Sequence, residues 1–316
     1  MNEINIFCPA TVANLSCGFD VLGLCLESIG DEMIIRKSNE KGLRITKITG
    51  ADLPLESNKN VAGVAGMALL NHLDLEFGFE IEIHKKIKAG SGIGSSAASA
   101  AGVVVGINEL LGNPLHRKDL IPFAMEGEFL ASGSYHADNV APAILGGFTL
   151  VRSYDPLEVI KIKSPNDLYV TIIHPHIEVK TSEARNILPK EIPLKTAITQ
   201  WGNLGGLISG LYTEDYGLIG RSLHDVVAEP YRKNLIPVFD QLKKAALECG
   251  ALGCGISGSG PSIFALSQGL KTAQQVGTQL KEIYSKTEFG FDIYVSKVCG
   301  KGVKTKKNSK FSAWSL

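Results

Sequence analysis

A chain of 316 residues, 44% hydrophobic and 20% charged, has the composition of a soluble globular protein and the length for one large domain or two ordinary ones. Its 32 basic residues cancel its 32 acidic ones. General nucleic-acid and anionic-membrane binders carry a basic excess, so both classes are set aside. In chain order, residues 4–8 read as a short strand, followed by a turn-rich segment, 9–20, with too few charges for an ordinary surface loop. Alternation predicts strands over 32–36 and 43–48, and the spacing of Val61, Val64, Met67, Leu69 and Leu70 predicts a helix over 60–73. A strand over 79–83 leads to a glycine-rich stretch at 90–98, an alanine-rich helix to Leu111, a helix over 118–131 and a strand over 148–151. Residues 153–167, with Pro156, Pro165 and Asn166, read as loop and place a boundary between domains 1–153 and 154–316. Beyond it the pattern predicts strands over 169–173, 262–266 and 291–295, and helices over 197–211, 236–249 and 272–284. Strands and helices mix without strict alternation, which favours an α+β fold.

Cys8, Cys17, Cys25, Cys249, Cys254 and Cys299 show no C-x-x-C spacing and read as buried free thiols in a reducing compartment. The N-terminus lacks a basic, apolar leader, and no apolar run reaches the ~18 residues of a membrane span, so a cytoplasmic protein is expected. Lys301, Lys304, Lys306, Lys307 and Lys310 suggest a solvated, partly frayed end.

The richest stretch is Gly90-Ser91-Gly92-Ile93-Gly94-Ser95-Ser96-Ala97-Ala98. Glycines at every second position let a backbone close on a ligand. Ser95 and Ser96 offer capping hydroxyls at a helix start, whose free amides and dipole make an anion site. A turn leading into a small-residue helix packed on a sheet would use the same residues. No Lys-Ser/Thr pair closes a Walker loop. Gly253-Cys254-Gly255-Ile256-Ser257-Gly258 matches G-x-G-x-x-G, but a strand follows it where a dinucleotide site requires a helix. It is either a tight β-connection or a loop approaching the ligand. His174 and His176 lack a third metal ligand and read as surface residues at a strand end.

Three separated segments together resemble the GHMP kinases, ATP-dependent kinases of small molecules marked by a Pro-x-x-x-Gly-Leu-Gly-Ser-Ser-Ala-Ala loop. The loop here is Lys88-Ala89-Gly90-Ser91-Gly92-Ile93-Gly94-Ser95-Ser96-Ala97-Ala98, with Lys88 at the usual proline and Ile93 at the usual leucine. The family's first motif looks like residues 9–20 and its third like 253–262, in the right order. The resemblance implies a two-domain α+β fold, with an N-terminal ribosomal-protein-S5-like domain and a C-terminal ferredoxin-like domain. It also implies ATP as co-substrate, Mg2+, and a homodimer.

Within the family, Pro9-Ala10-Thr11-Val12-Ala13-Asn14-Leu15-Ser16-Cys17-Gly18-Phe19-Asp20 and Tyr135-His136-Ala137-Asp138-Asn139-Val140-Ala141-Pro142-Ala143-Ile144-Leu145-Gly146-Gly147 look like the branch that phosphorylates the hydroxyl of L-homoserine. Thr181-Ser182-Glu183-Ala184-Arg185 and Glu229-Pro230-Tyr231-Arg232 add to the likeness. That acceptor is a zwitterion, so its site needs a cation for the carboxylate, which an arginine fork suits, and an acceptor for the ammonium. By resemblance, Asn14, Asp20, His136, Asp138, Arg185 and Arg232 bind the acceptor, and Asp138, Asn139 and Thr181 serve catalysis. Asn58, Asn60, the stretch from Lys88 to Ala98 and Gly258 bind ATP, and Ser96 and Glu128 hold the metal. Taken singly, Arg185 and Arg232 are also compatible with surface arginines, Asp20 and Asn60 with caps, His136 with a loop histidine and Glu128 with a solvated helix position. Asp138 corresponds to the carboxylate proposed as base in related kinases, or it binds substrate. Two other readings remain open: a mevalonate-type acceptor, or a non-catalytic ATP or amino-acid sensor, against which the retained Ser96, Glu128 and Asp138 argue.

Overall fold

The computed structural model describes residues 2–306. The first half builds a seven-stranded sheet from β1 (Glu3–Ala13), β2 (Leu22–Ser38), β3 (Gly42–Thr49), β4 (Gly78–His84), β5 (Phe148–Tyr154), β6 (Leu157–Ile162) and a late strand described below. β2 is the hub. β1 pairs it along both halves, while β4 pairs its far half, Glu32–Ser38, and β5 its near end, Leu22–Leu24. α1 (Val61–Leu73), α2 (Ser95–Leu110), α3 (Ile121–Ser132) and α4 (Val140–Leu145) accompany this sheet. Fourteen residues of α2 are buried, which its alanines, glycines and valines permit. At Gly102 an added Cβ would stand 2.3 Å from Cys8 Sγ, so the helix rides directly on β1.

The second half forms a four-stranded antiparallel sheet, in spatial order last, first, third, second. Its strands are β7 (Leu168–Pro175), β8 (Gly253–Ile256), β9 (Ile263–Gln268) and β10 (Phe291–Lys297). Between β7 and β8 run α5 (Thr181–Asn186), α6 (Leu194–Thr213), α7 (Tyr216–Ser222), α8 (Glu229–Arg232) and α9 (Phe239–Glu248). α10 (Leu270–Tyr284) lies between β9 and β10, and its Val276, Leu280 and Tyr284 join Phe239, Leu242 and Ala246 of α9 in a compact core. The larger core runs from the first sheet into Leu168, Val170, Ile172 and Phe264 of the second.

Several expectations are corrected. The strand expected at 4–8 extends to Ala13, so five residues of the supposed turn segment are sheet and the turn itself starts at Asn14. The loop expected at 153–167 contains β6, which pairs β5, so the two sheets divide between Ile162 and Leu168. The basic end is no frayed terminus as far as Lys306: β11 (Lys304–Thr305) pairs β1, and the Lys306 amide donates to Asn5 at 2.8 Å. Lys307 and Lys310 lie outside the described residues. The stretch 253–258 forms β8 and the turn into β9, a hairpin rather than a dinucleotide loop. All six cysteines are free thiols; Cys249 is half-buried and the others are buried. Among the described residues no helix is long and apolar enough to cross a membrane.

Candidate active site

The glycine loop spans the gap between β4 and α2. Gly90, Gly92 and Gly94 take φ of +71°, +79° and +68°, which side chains resist, and Gly94 caps the helix. The second half of the chain braces the loop from outside: Ser257 Oγ donates to the Gly92 carbonyl at 2.7 Å, and the Ser262 amide to that of Ser91 at 3.3 Å. The 253–260 segment is thus both a tight β-connection and a loop that reaches the cavity, which Gly258 and Ser259 line. An added Cβ on Gly94 would lie 2.0 Å from Thr11 Oγ1, whose hydroxyl donates to Asn139 Oδ1 at 2.7 Å. Gly94→Ala is accordingly expected to cost about 1–3 kcal/mol in stability from left-handed strain alone and to raise the KM for ATP, measurable by thermal denaturation and initial rates.

Beneath the loop lies a pair that sequence reasoning passed over. The buried Lys85 ammonium is bonded to Asp31 and donates to the Ser95 carbonyl at 2.9 Å and Ser99 Oγ at 3.1 Å. Asp31 in turn accepts from the amides of Lys86 and Ile87 at 2.6 and 2.9 Å. A buried charge is tolerable when paired and fully bonded in this way, and the pair pins the loop to the helix start. Lys85 opens the run Lys-Lys-Ile-Lys, which reads as solvated charge, and its partner is 54 positions earlier; no local signal marks either.

The loop lines a cavity of about 390 Å3 that it shares with the predicted acceptor site. Asn14 and Asp20 sit in left-handed conformations, φ +71° and +60°, on the turn between β1 and β2. Asn14 Oδ1 accepts from the Asp20 amide at 2.9 Å, and its Nδ2 donates to the Gly258 carbonyl at 2.8 Å. Arg185 Nη2 donates to both Asp20 carboxylate oxygens, at 2.9 and 3.0 Å, and meets His136 Nε2 at 3.3 Å. Arg232 is buried and donates to the carbonyls of Ala184 at 2.9 Å and Gly258 at 3.0 Å. Neither arginine is a surface residue of no consequence. Tyr154, unpredicted, donates to the Asp20 carbonyl at 3.2 Å and accepts from the Ala137 amide at 3.3 Å. Burial pushes its phenol up to about 12, so it remains a donor at neutral pH. Thr181, opening α5, faces Ser259 across 3.3 Å at the cavity edge.

Two carboxyls in this cavity are displaced upward. Burial, then the negative charges of Asp20 and Glu128, push Asp138 up to about 7. Burial pushes Glu128 up to about 7 as well, with the Ser96 hydroxyl and Lys85 pulling the other way. Glu128 Oε1 is buried without a hydrogen-bond partner. A buried carboxylate oxygen left unpaired beside a phosphate loop fits a hard cation, and oxygen donors are what Mg2+ takes.

The cavity brings together nearly all of the predicted residues: Asn14, Asp20, Asn60, Ala89 to Gly92, Gly94 to Ser96, Glu128, His136, Asp138, Asn139, Thr181, Arg185, Arg232 and Gly258. Five do not line it. Ile93, Ala97 and Ala98 are buried in the core. Lys88 turns outward, to His176 Nε2 at 2.8 Å and Asp292 at 3.3 Å. Asn58 lines a separate groove with Leu43, Val64 and Phe123. Asn60 does cap α1, accepting from the Ala62 amide at 3.0 Å, while also facing the cavity. His174 is not a surface residue: it is buried, pushed down to about 4, and within 3.2 Å of Ser262 Oγ.

A phosphate cradle opening onto an acceptor pocket within one cavity is the plan of a small-molecule kinase. Residues 59–147 match the GHMP kinases N terminal domain and residues 207–286 the GHMP kinases C terminal family. The chain belongs to the GHMP kinase family, with its two-domain α+β fold. Within it, the chain is 49% identical to the homoserine kinase of Chlorobium phaeobacteroides strain BS1, over 96% of this chain and 99% of that one. The crystal structure of homoserine kinase from Cytophaga hutchinsonii superposes with a TM-score of 0.93 at 56% identity, covering 97% and 98% of the two chains. A mevalonate kinase from Methanococcus jannaschii reaches 0.68 at 16% identity over 94% and 98%, a likeness of fold alone.

Proposed function

We propose that the chain transfers the γ-phosphoryl group of ATP to the side-chain hydroxyl of L-homoserine, giving O-phospho-L-homoserine for threonine synthesis. The observation that supports this reading is charge placement in one cavity: two guanidiniums, Arg185 and Arg232, share with buried Asp138 the cavity that the glycine loop lines. That pattern complements an acceptor bearing both a carboxylate and an ammonium. A mevalonate-type acceptor has no ammonium and would leave Asp138 with no opposite charge. A sensor would have no use for Glu128 and Ser96 in addition to the loop.

Phosphoryl transfer passes through a loose transition state, so positioning and electrostatics supply most of the catalysis. The amides around Gly92, Gly94 and Ser95 cradle the β- and γ-phosphates, and Lys85 holds the helix start rigid behind them. Ser96 and Glu128 are the residues that would hold Mg2+, which when bound neutralises phosphate charge. Arg185 and Arg232 orient the acceptor carboxylate; Asn14 and Asn139 fix the segments that carry Asp20 and Asp138. Thr181, lining the cavity opposite Ser259, is the further hydroxyl that the family resemblance assigns to catalysis. Asp138 either accepts the hydroxyl proton or holds the ammonium. A homodimer belongs to this reading through the family resemblance, and a cytoplasmic location through the free cysteines.

The test is ADP release measured by a coupled assay across L-homoserine, mevalonate and a small panel of amino alcohols. Turnover with homoserine well above the rest is expected. Activity on mevalonate alone would sink the assignment, and tight ATP binding with no turnover of any acceptor would support the sensor.

A further inference from the structure

Arg185 and Arg232 lie over the same aromatic ring. Their guanidinium carbons stand 5.7 and 5.1 Å from the ring centroid of Phe19. Two like charges brought to one substrate carboxylate repel each other, and burial together with Arg185 holds Arg232 below the ordinary arginine range. Asp20 is bonded directly to Arg185 through its carboxylate and supports the Arg232 charge only from a distance; the hydrogen bonds of Arg232 go to backbone carbonyls. An aromatic face attracts both cations, because its quadrupole is negative there. It does so without occupying their N–H groups: among the described residues Arg185 Nη1 and Arg232 Nη2 have no hydrogen-bonded acceptor. Phe19 and Asp20 are adjacent on one turn, so a single backbone feature delivers a carboxylate and a ring to the same pair. Away from the arginines, the Phe19 residue also lines a second, mainly apolar cavity together with Cys17, Val21, Trp201 and Leu204.

We propose that Phe19 is a positioning residue for phosphoryl transfer, its ring setting Arg185 and Arg232 as one clamp for the acceptor's carboxylate. This rests on the homoserine reading above. A ring that merely filled space would affect every acceptor alike; a ring acting through the arginines affects only acceptors with a carboxylate. Initial rates at saturating MgATP would compare the wild type with Phe19→Leu and Phe19→Tyr. The acceptors would be L-homoserine and 3-aminopropan-1-ol, which keeps the hydroxyl and amine without the carboxylate. Where turnover of the latter is too slow for a KM, its inhibition constant against homoserine is used.

Phe19→Leu is expected to raise the KM for homoserine about 10–100-fold, leaving the constants for ATP and 3-aminopropan-1-ol within about twofold. Phe19→Tyr is expected to keep the wild-type values. Equal losses with both acceptors, an unchanged homoserine KM in Phe19→Leu, or a Phe19→Tyr enzyme as impaired as Phe19→Leu would each overturn the proposal. If Phe19→Leu does not fold, as thermal melting would show, Phe19→Met takes its place in the same comparison. A wild type that turns over another carboxylate acceptor but not homoserine refutes the functional reading instead, and the variants are then compared on that acceptor.

Discussion

Glu128→Gln is expected to lower kcat about 10²–10³-fold while making the protein more heat-resistant at pH 8, the scale seen when one electrostatic contact to the transition state is removed. Both effects have one cause. Glu128 is buried, its Oε1 is unpaired, and its carboxyl is pushed from 4.5 up to about 7. A raised carboxyl favours the folded state fully only below its unfolded value, near 4.5, and that contribution is lost as the pH rises through about 7. At pH 8 the folded enzyme without ligand carries a buried charge that Ser96 and Lys85 only partly compensate, at a cost on the order of 3 kcal/mol, since one pKa unit is about 1.4 kcal/mol. Glutamine has nearly the same shape and no charge, so the melting temperature should rise by a few degrees at pH 8 and hardly at all at pH 5. The activity loss follows because the neutral amide cannot hold a divalent cation as a carboxylate does. Melting curves at the two pH values and kcat at saturating Mg2+ check both halves. A variant that is active, or no more stable at pH 8 than at pH 5, removes Glu128 from the metal site.

The glycine loop was legible because three alternating glycines coincide with three positive φ values, a backbone demand that few other residues meet. The acceptor residues were legible through motif likeness, yet nothing local distinguished Arg232, buried against backbone carbonyls, from a solvated arginine. The bond between Lys85 and Asp31 joins positions 54 apart, and Tyr154 reaches Asp20 across 134, so neither leaves a periodic trace. Pro156 and Pro165 flank β6 and give its segment the look of a loop, although its Ile162 packs into the core. β8 was hidden by its own glycines: at Gly255 an added Cβ would come within 2.4 Å of Ser16 Oγ, so the turn that positions Asn14 excludes the β-branched residues that mark strands.

Asp138→Asn has the second large expected effect, a loss in rate of about 10²–10⁴-fold if the carboxylate takes the hydroxyl proton. The alternative role, holding the ammonium, predicts instead a raised homoserine KM with kcat largely kept, and the two are separable by pH. In the free enzyme the Asp138 carboxyl sits near 7, raised by burial and by Asp20 and Glu128. An arriving ammonium favours the ionised form, so binding must expel a proton at any pH below that value. The homoserine KM should therefore be flat above about pH 7 and climb toward tenfold per pH unit below it, a slope that Asp138→Asn abolishes. Measuring at saturating MgATP matters, because a bound cation returns Glu128 to its ionised form and leaves Asp138 as the group that titrates with the acceptor. A kcat that falls on the acid side while KM stays flat assigns the proton-accepting role. An Asp138→Asn enzyme with wild-type KM and a rate loss well under tenfold eliminates both roles, and places acceptor selectivity on the Arg185 and Arg232 clamp with the rate left to phosphate positioning by the loop.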